Sequence, residues 1–423
     1  MTTRVWEGQA AASAQVDAVA VSAYDVATQY QLLVAGEIIA TASGGGTTIQ
    51  VASALADAWN AVTGIPYATV ITAASTGSDV QFTADVPGNP FTITANVTGG
   101  TGTMGTVTGQ ISNAGPNDWA TAANWSGDAV PIAADDVVFR DSGVDVRWGL
   151  DQNAVDLDSL VIEQSYTGKI GLDRTAFVTG ADGSAATGRP EYREDYLTVG
   201  WTDARIGESL GPGTPAGSTR LKLDNDKAGA SDTEIFDTAT SSADADMPAV
   251  RLLLGNAAAE LQVRRAPGGV GVAVDDPAET ATLGSVDVSD ETLATSVLLG
   301  AGVTWADWTQ QGGNNEVRAA ATVTGTVTVL DGNLTIEGDQ RIDQLDVYGG
   351  TVRPHNAPAA GAAVATINNY GGTVDGVGSR ATRTWTTANM LRAGATLRAD
   401  PDVVTITNLN EPTDSGTYAL TVA

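Results

Sequence analysis

The chain has 423 residues, which is enough for two to four domains, and 42% of them are hydrophobic. Its 50 Asp and Glu against 21 Lys and Arg give a net charge of −29, which would repel nucleic acid and an anionic membrane surface. The absence of Cys and the single His exclude disulfides, thiolate metal sites and multi-His zinc sites.

Residues 1–15 are predicted to form an extended N-terminal arm. This stretch has one Arg and no apolar core of a signal peptide, so a standard secretion route is not expected if Met1 is the true start. Arg4, Val5 and Trp6 precede a strongly acidic chain. An aromatic side chain beside a cation often dominates an interface, so we predict that these three residues attach the chain to a larger assembly.

Residues 16–111 are predicted to form a small α+β module. Its helix is expected at Thr47–Val62, because Val51, Leu55 and Trp59 recur on one helical face. Alternating apolar residues predict strands on both sides of this helix.

Residues 112–156 are predicted to form a Trp-rich transition. Trp119 and Trp125 bracket a polar turn in NDWATAANWSGDAVP. Two Trp side chains at this spacing are compatible with a cap on the open end of a β-structure, or with stacking on the sugar rings of a glycan.

Residues 157–408 are predicted to form a parallel β-helix, or β-solenoid. The sequences LDVYGGTV (345–352), INNYGGTV (367–374) and MLRAGATL (390–397) repeat a short strand, a glycine turn and a second strand. So small a unit must stack on its neighbours, and about 11 coils are expected. Residues 409–423 are predicted to be a C-terminal strand that caps the last coil.

The repeats also predict which side chains point into the solenoid. Leu345, Val347 and Val352 are expected inside and Tyr348 outside. Asn369 falls at an inward position, where it could form a side-chain ladder. In the last copy Arg392 falls at that position, so either the register shifts to bury Leu391 and Ala393, or this coil is already the cap.

The acidic residues offer few sites of chemistry. Asp224 and Asp226, and likewise Asp275 and Asp276, are weak candidates for Ca²⁺, because neither pair matches a known calcium loop. These two pairs, and a third group made of Glu191, Glu194 and Asp195, could also cleave a glycan as paired carboxylates. Such groups arise by chance among 50 acids, and His355, between two prolines, is expected in a loop. We therefore predict no catalytic residue and no cofactor.

Several segments resemble bacteriophage virion proteins. They are VWEGQAAASAQV (5–16), FTITANVTGGTGTMGTVT (91–108), the Trp-rich run up to DDVVF (117–139) and LDSLVIEQSYTGKIGL (157–172). The resemblance covers roughly residues 1–200 and implies a structural or host-contacting role. The Trp-rich run is also similar to the opening of autotransporter-like β-helical surface proteins, but those proteins carry a signal peptide.

The sequence therefore predicts a mainly β protein, with a β-solenoid body after an N-terminal α+β module. The expected function is a non-enzymatic structural component of a virion, assembled in the host cytoplasm and attached to capsid or tail by its N-terminal region. Expected partners are other virion proteins, further copies of the chain, with a trimer among the options, and a host surface glycan. The alternatives are a glycan-binding or glycan-cleaving tail spike and a bacterial cell-surface adhesin.

Overall fold

The computed structural model describes residues 2–34, 36–63, 65, 69–172, 196–208, 217–244, 247–255, 258–275, 277–290, 294–318, 323–358, 361–378, 381–411 and 419–422. Strands account for 50% of the residues and helix for 4%. The prediction of a mainly β protein is confirmed.

The first strand of the chain belongs to the β-solenoid body. The strands and helix that follow form the module, and the chain then re-enters the body. The first strand, β1 (Thr3–Val5), is followed by β2 (Val16–Ala23), β3 (Gln29–Val34), β4 (Glu37–Ser43), α1 (Thr48–Asn60), β5 (Ile71–Thr76), β6 (Asp79–Ala84), β7 (Thr94–Thr98), β8 (Thr103–Met104) and β9 (Thr108–Ile111).

The module packs α1 against two antiparallel sheets and has a hydrophobic core of its own. One sheet has the order β4-β3-β7, and the other has β5-β6-β2 with β8 and β9 on the far edge of β2. The helix buries Val51, Leu55 and Trp59, as the spacing predicts. The Thr47 hydroxyl accepts a hydrogen bond from the Gln50 amide and so caps the first turn.

The body contains the remaining elements. They are a short 3-10 helix, η1 (Ala122–Asn124), and the strands β10 (Asp136–Phe139), β11 (Asp151–Glu163), β12 (Leu197–Glu208), β13 (Leu221–Asn225), β14 (Ser231–Ile235), β15 (Val250–Leu254), β16 (Ala259–Val263), β17 (Val270–Val272), β18 (Ala281–Val288), β19 (Val297–Leu299), β20 (Val303–Gln310), β21 (Asn314–Val317), β22 (Val323–Val329), β23 (Asn333–Ile336), β24 (Arg341–Val347), β25 (Thr351–Pro354), β26 (Val364–Asn369), β27 (Thr373–Asp375), β28 (Arg383–Met390), β29 (Thr396–Ala399), β30 (Val404–Asn410) and β31 (Ala419–Val422).

These strands form the predicted parallel β-solenoid. Within the described residues, β1 and β10–β31 make one sheet of 23 strands, and all of its pairings are parallel. From β12 onward each strand pairs with the strand two places later, so that one row runs from β12 to β30 and a second runs from β13 to β31. A single apolar core extends through the stack.

Each coil of the C-terminal half has three faces. The long strands β18, β20 and β28 each have two adjacent residues in the middle that point away from the core, so each strand turns a corner there. We call the N-terminal half of these strands the first face and the C-terminal half the second face. The short strands of the second row, such as β25, form the third face.

The inward positions predicted from the repeat are largely confirmed. Leu345, Val347 and Val352 are fully buried, and Tyr348 is exposed. Asn369 is buried as well, but it forms no ladder. Its amide donates to the carbonyls of Gly372 and Thr396, and its oxygen accepts from the turn amides, so Asn369 stabilises the glycine turn that follows it.

The last clear repeat differs from both expected registers. Met390, not Arg392, pairs with Asn369 and is buried. The chain then makes a turn that is two residues longer than the turn in the preceding copies, so Leu391, Arg392 and Ala393 all lie at the surface. An insertion in the turn, rather than a shift of the strand, places the arginine outside.

The solenoid is longer at both ends than its predicted bounds. Residues Thr3–Val5 pair with Asp136–Val138 of β10, and β10 pairs with β11, so the first strand of the body lies in the predicted arm. The module is therefore an insertion, whose two connections meet at a bridge between Ser13 and Ala114. At the other end β31 pairs with β29 and extends the second row.

Candidate functional site

The N-terminal end of the solenoid is closed by an aromatic cluster. Trp6, Trp119 and Trp125 are each at most 1% exposed. The Trp125 ring makes edge-to-face contacts with Trp6 at 5.0 Å and with Trp119 at 4.6 Å between centroids. The Trp6 indole N–H donates to the Val144 carbonyl at 3.1 Å. Because the rings are buried in this chain, they cannot stack on a glycan from outside, and their position is that of a cap.

The burial of Trp6 corrects the prediction that residues 1–15 form an extended arm in which Trp6 is an exposed anchor. Trp6 packs inside its own chain, and Val5 is bonded to Ser126, whose amide donates to the Val5 carbonyl and whose hydroxyl accepts from the Val5 amide, both at 2.9 Å. The outer edge of β1 is thereby closed. Arg4 forms an ion pair of 3.5 Å with Asp135 and is 18% exposed.

Asp224 and Asp226 lie in an acidic environment beside the start of β12. Burial raises the pKa of Asp224 to about 6, although the Thr198 hydroxyl, which donates to Asp224 at 3.0 Å, opposes this rise. Burial also raises the pKa of Asp226, with further contributions from Asp156 and Asp151. With a pKa of about 6, Asp224 is mostly ionised at neutral pH. No third His, Asp or Glu among the described residues joins this pair in a group that could hold a metal ion.

Asp275 occupies a different environment, a buried ion cluster. Its two carboxylate oxygens bind Lys222 at 2.8 Å and Arg251 at 2.9 Å. Lys222 is fully buried and Arg251 is 1% exposed. Arg251 also binds Asp244, and the Lys222 ammonium lies 4.8 Å from the centre of the Tyr196 ring. Since both oxygens of Asp275 already bind a cationic side chain, this carboxylate is not placed to bind calcium.

The other predicted acids and the histidine add no site. Asp276, Glu191, Glu194 and Asp195 lie outside the described residues. Among the residues that are described, no group of three or more His, Asp or Glu could hold a metal ion. His355 follows β25 and is partly buried, and its pKa is lowered by burial and then by the charge of Arg383.

A polar groove lies on the third face of the solenoid and was not predicted. Its volume is about 380 Å³, and it is lined by Ser296, Leu298, Asn314, Asn315, Glu316, Asn333, Thr335 and Arg353. Four of these residues lie directly above one another on four successive strands of this face. Glu316 pairs with Leu298 on one side and with Thr335 on the other, and Thr335 in turn pairs with Arg353. The groove therefore follows the rod axis.

The groove combines amides and hydroxyls with one cation. Glu316 is bound by Arg318 at 2.6 Å, and the Asn333 amide donates to Asn314 at 2.8 Å. Within the described part of the chain, Arg353 has no ion pair. Its guanidinium can offer several hydrogen bonds to a ligand.

The ion cluster has a signal in the sequence that is separate from the glycine-turn repeat. Lys222 and Arg251 occupy the same place in the similar strands LKLDN and VRLLL, between inward residues. In the structure the two strands pair in parallel with Lys222 directly beside Arg251, as the similarity of the two segments indicates. The groove had no such signal, because its lining comes from four strands whose stacking order had to be known first.

Comparison with known proteins gives no relative for this chain: no family model, no curated protein and no solved structure matches it. In the described residues, no helix is long and apolar enough to cross a membrane.

Proposed function

We propose that this chain is a non-enzymatic structural component of a phage virion, displayed on the capsid or tail as a decoration, spike or fibre. The observation that carries this proposal is the single parallel stack that runs from Thr3 to Val422. Its first row, extended by β1, β10 and β11, spans roughly 60 Å at the usual strand spacing. A rod of this kind serves display, and the resemblance of residues 5–16 and 91–108 to virion proteins supports a particle as the site of display.

Attachment through the N-terminal region falls to the inserted module. The module stands at the first coil of the rod, and three of its apolar side chains, Val26, Ile49 and Ile111, are at least half exposed. Strand β9 is exposed at every position. Exposed apolar side chains beside an exposed strand suit a contact with another protein, here another virion protein.

Electron microscopy of particles labelled with gold-conjugated antibody against this chain tests the location. We expect label at a fixed position on the capsid or tail of intact particles. Label confined to the envelope of the bacterial cell, with unlabelled particles in the same sample, would contradict the proposal and support the adhesin alternative.

A second candidate function, glycan binding by a tail spike, is favoured by the groove on the third face. A glycan offers many hydroxyls, and the groove offers amides, hydroxyls and the Arg353 guanidinium, which forms no ion pair within the described residues, beside the apolar Leu298. The long axis of the groove follows the coils, which suits an extended polysaccharide.

Replacing Arg353 with Ala is expected to weaken binding to a bacterial surface polysaccharide. A hydrogen bond from a charged donor contributes about 1.5–3 kcal/mol, so the affinity should fall roughly 10- to 150-fold. Calorimetry with a panel of neutral and uronate-containing polysaccharides measures this. Arg341→Ala is the matched control, because Arg341 is exposed and paired with Asp343 away from the groove. Equal binding by both variants would contradict the groove as the site, and release of reducing sugar by the wild type would indicate a glycan-cleaving spike.

A further inference from the structure

One corner of the solenoid carries a continuous apolar ridge. Between the second and third faces, four consecutive coils place Leu330, Tyr348, Tyr370 and Leu391 at the same position. The residues directly before them are Val329, Val347, Asn369 and Met390. These four strand residues pair with one another from coil to coil, which fixes the shared position. We call these four residues the ridge.

The ridge is exposed and ordered along the rod. Leu330, Tyr348 and Leu391 are 41%, 46% and 41% exposed. The rings of Tyr348 and Tyr370 stack with 4.4 Å between centroids and an angle of 3°. Each ring thus covers one face of the other and turns its edge to solvent.

The ridge is not part of a general scatter of surface hydrophobics. Among the described residues of the body, the large hydrophobic side chains that are exposed are Ile132 and three members of the ridge. Isolated exposed side chains need no explanation, but a contiguous apolar strip marks an interaction surface.

Charge around the ridge is nearly balanced, in contrast to the whole chain. Residues 323–410 hold 8 Asp and Glu and 6 Lys and Arg, whereas the chain holds 50 and 21. Beside the ridge on the second face, Asp346, Asn368, Asn389 and Asn410 form a column joined by side-chain hydrogen bonds of 2.7–2.8 Å. Along most of the acidic rod a second copy would be repelled, but along these coils it would not.

We propose that the ridge is the surface on which a second copy of this chain packs, side by side with the first. The ridge of a second copy repeats with the same coil spacing of about 4.8 Å, so side chains of the two ridges can interdigitate along the whole strip. Burial of the two leucines and the tyrosine edges supplies the attraction. The nearly balanced charge of these coils adds little repulsion at the contact itself, and the repulsion that remains comes from the acidic rest of the rod.

Sedimentation equilibrium of the purified full chain tests this proposal without any virion partner. The wild type is expected to form a dimer or larger assembly, more strongly at high than at low ionic strength because salt screens the acidic remainder of the rod. The double variant Tyr348→Ser/Tyr370→Ser is expected to be a monomer with an unchanged circular dichroism spectrum. Tyr348→Phe/Tyr370→Phe keeps the apolar ring area and is expected to assemble.

Ile132→Ser is the matched control, because it removes an exposed apolar side chain of the body outside the ridge. This variant should assemble as the wild type does. A wild type that stays monomeric at every concentration and salt tested would overturn the proposal and assign the ridge to a different partner. A Ser double variant that still assembles would overturn it too.

Discussion

Replacement of Asp275 with Asn is expected to lower the free energy of unfolding by about 3–5 kcal/mol at neutral pH. The substitution removes the anion that Lys222 and Arg251 share, while both cations stay buried. A buried charge that loses its counterion keeps its desolvation cost and loses the attraction that offset it. Thermal and denaturant unfolding followed by circular dichroism measure the loss.

The same variant should show a defined dependence on pH. Burial by itself raises the pKa of Asp275, but the hydrogen bond and charge of Lys222 and the charge of Arg251 lower it more, so the net pKa lies below the ordinary value of 3.8. A carboxyl group with a lowered pKa in the folded state contributes stability above pH 3.8, and this is lost as the pH falls through the folded pKa. The difference between wild type and variant should therefore shrink in acid.

Asp343→Asn provides the control for this measurement. Asp343 is 49% exposed and pairs with the exposed Arg341, so its removal should change the stability by roughly 0–1 kcal/mol. If Asp275→Asn unfolds no more easily than Asp343→Asn, the buried ion cluster does not stabilise the body. A difference that grows in acid would contradict the assigned role of Lys222 and Arg251.

The inward and outward positions of the repeats could be predicted from sequence, because a strand has a period of two and a buried face selects apolar residues. Leu345 and Val347 met that rule, and the structure buries both. Arg392 could not be placed by the same rule, since a turn can lengthen without disturbing the strands on either side. Only the pairing of Met390 with Asn369 reveals the insertion.

The N-terminal strand shows a second limit of sequence reasoning. Thr3–Val5 pairs with Asp136–Val138, and the whole module lies between these two segments. No local pattern in three residues specifies a partner so far along the chain. Trp6 beside Arg4 therefore looks like an exposed anchor in sequence, although the fold buries the ring.

Replacement of Trp6 with Ala is expected to lower the free energy of unfolding by about 3–5 kcal/mol. The substitution empties a space lined by Trp125 and Phe139, whose ring centroids lie 5.0 and 5.9 Å from that of Trp6, and it removes the hydrogen bond to Val144. Because Trp6 directly follows β1, the first strand should also detach more readily. Unfolding measurements and limited proteolysis of the first coil report the two effects.

Val26→Ala is the matched control, since Val26 is 71% exposed on the module and should tolerate truncation with little change in stability. The Trp6 variant separates two roles that the sequence alone does not distinguish. An interface anchor would leave unfolding unchanged and abolish only incorporation into a larger assembly. A cap residue lowers the stability of the isolated chain before any partner is present, because the ring seals the end of a core that continues through every coil.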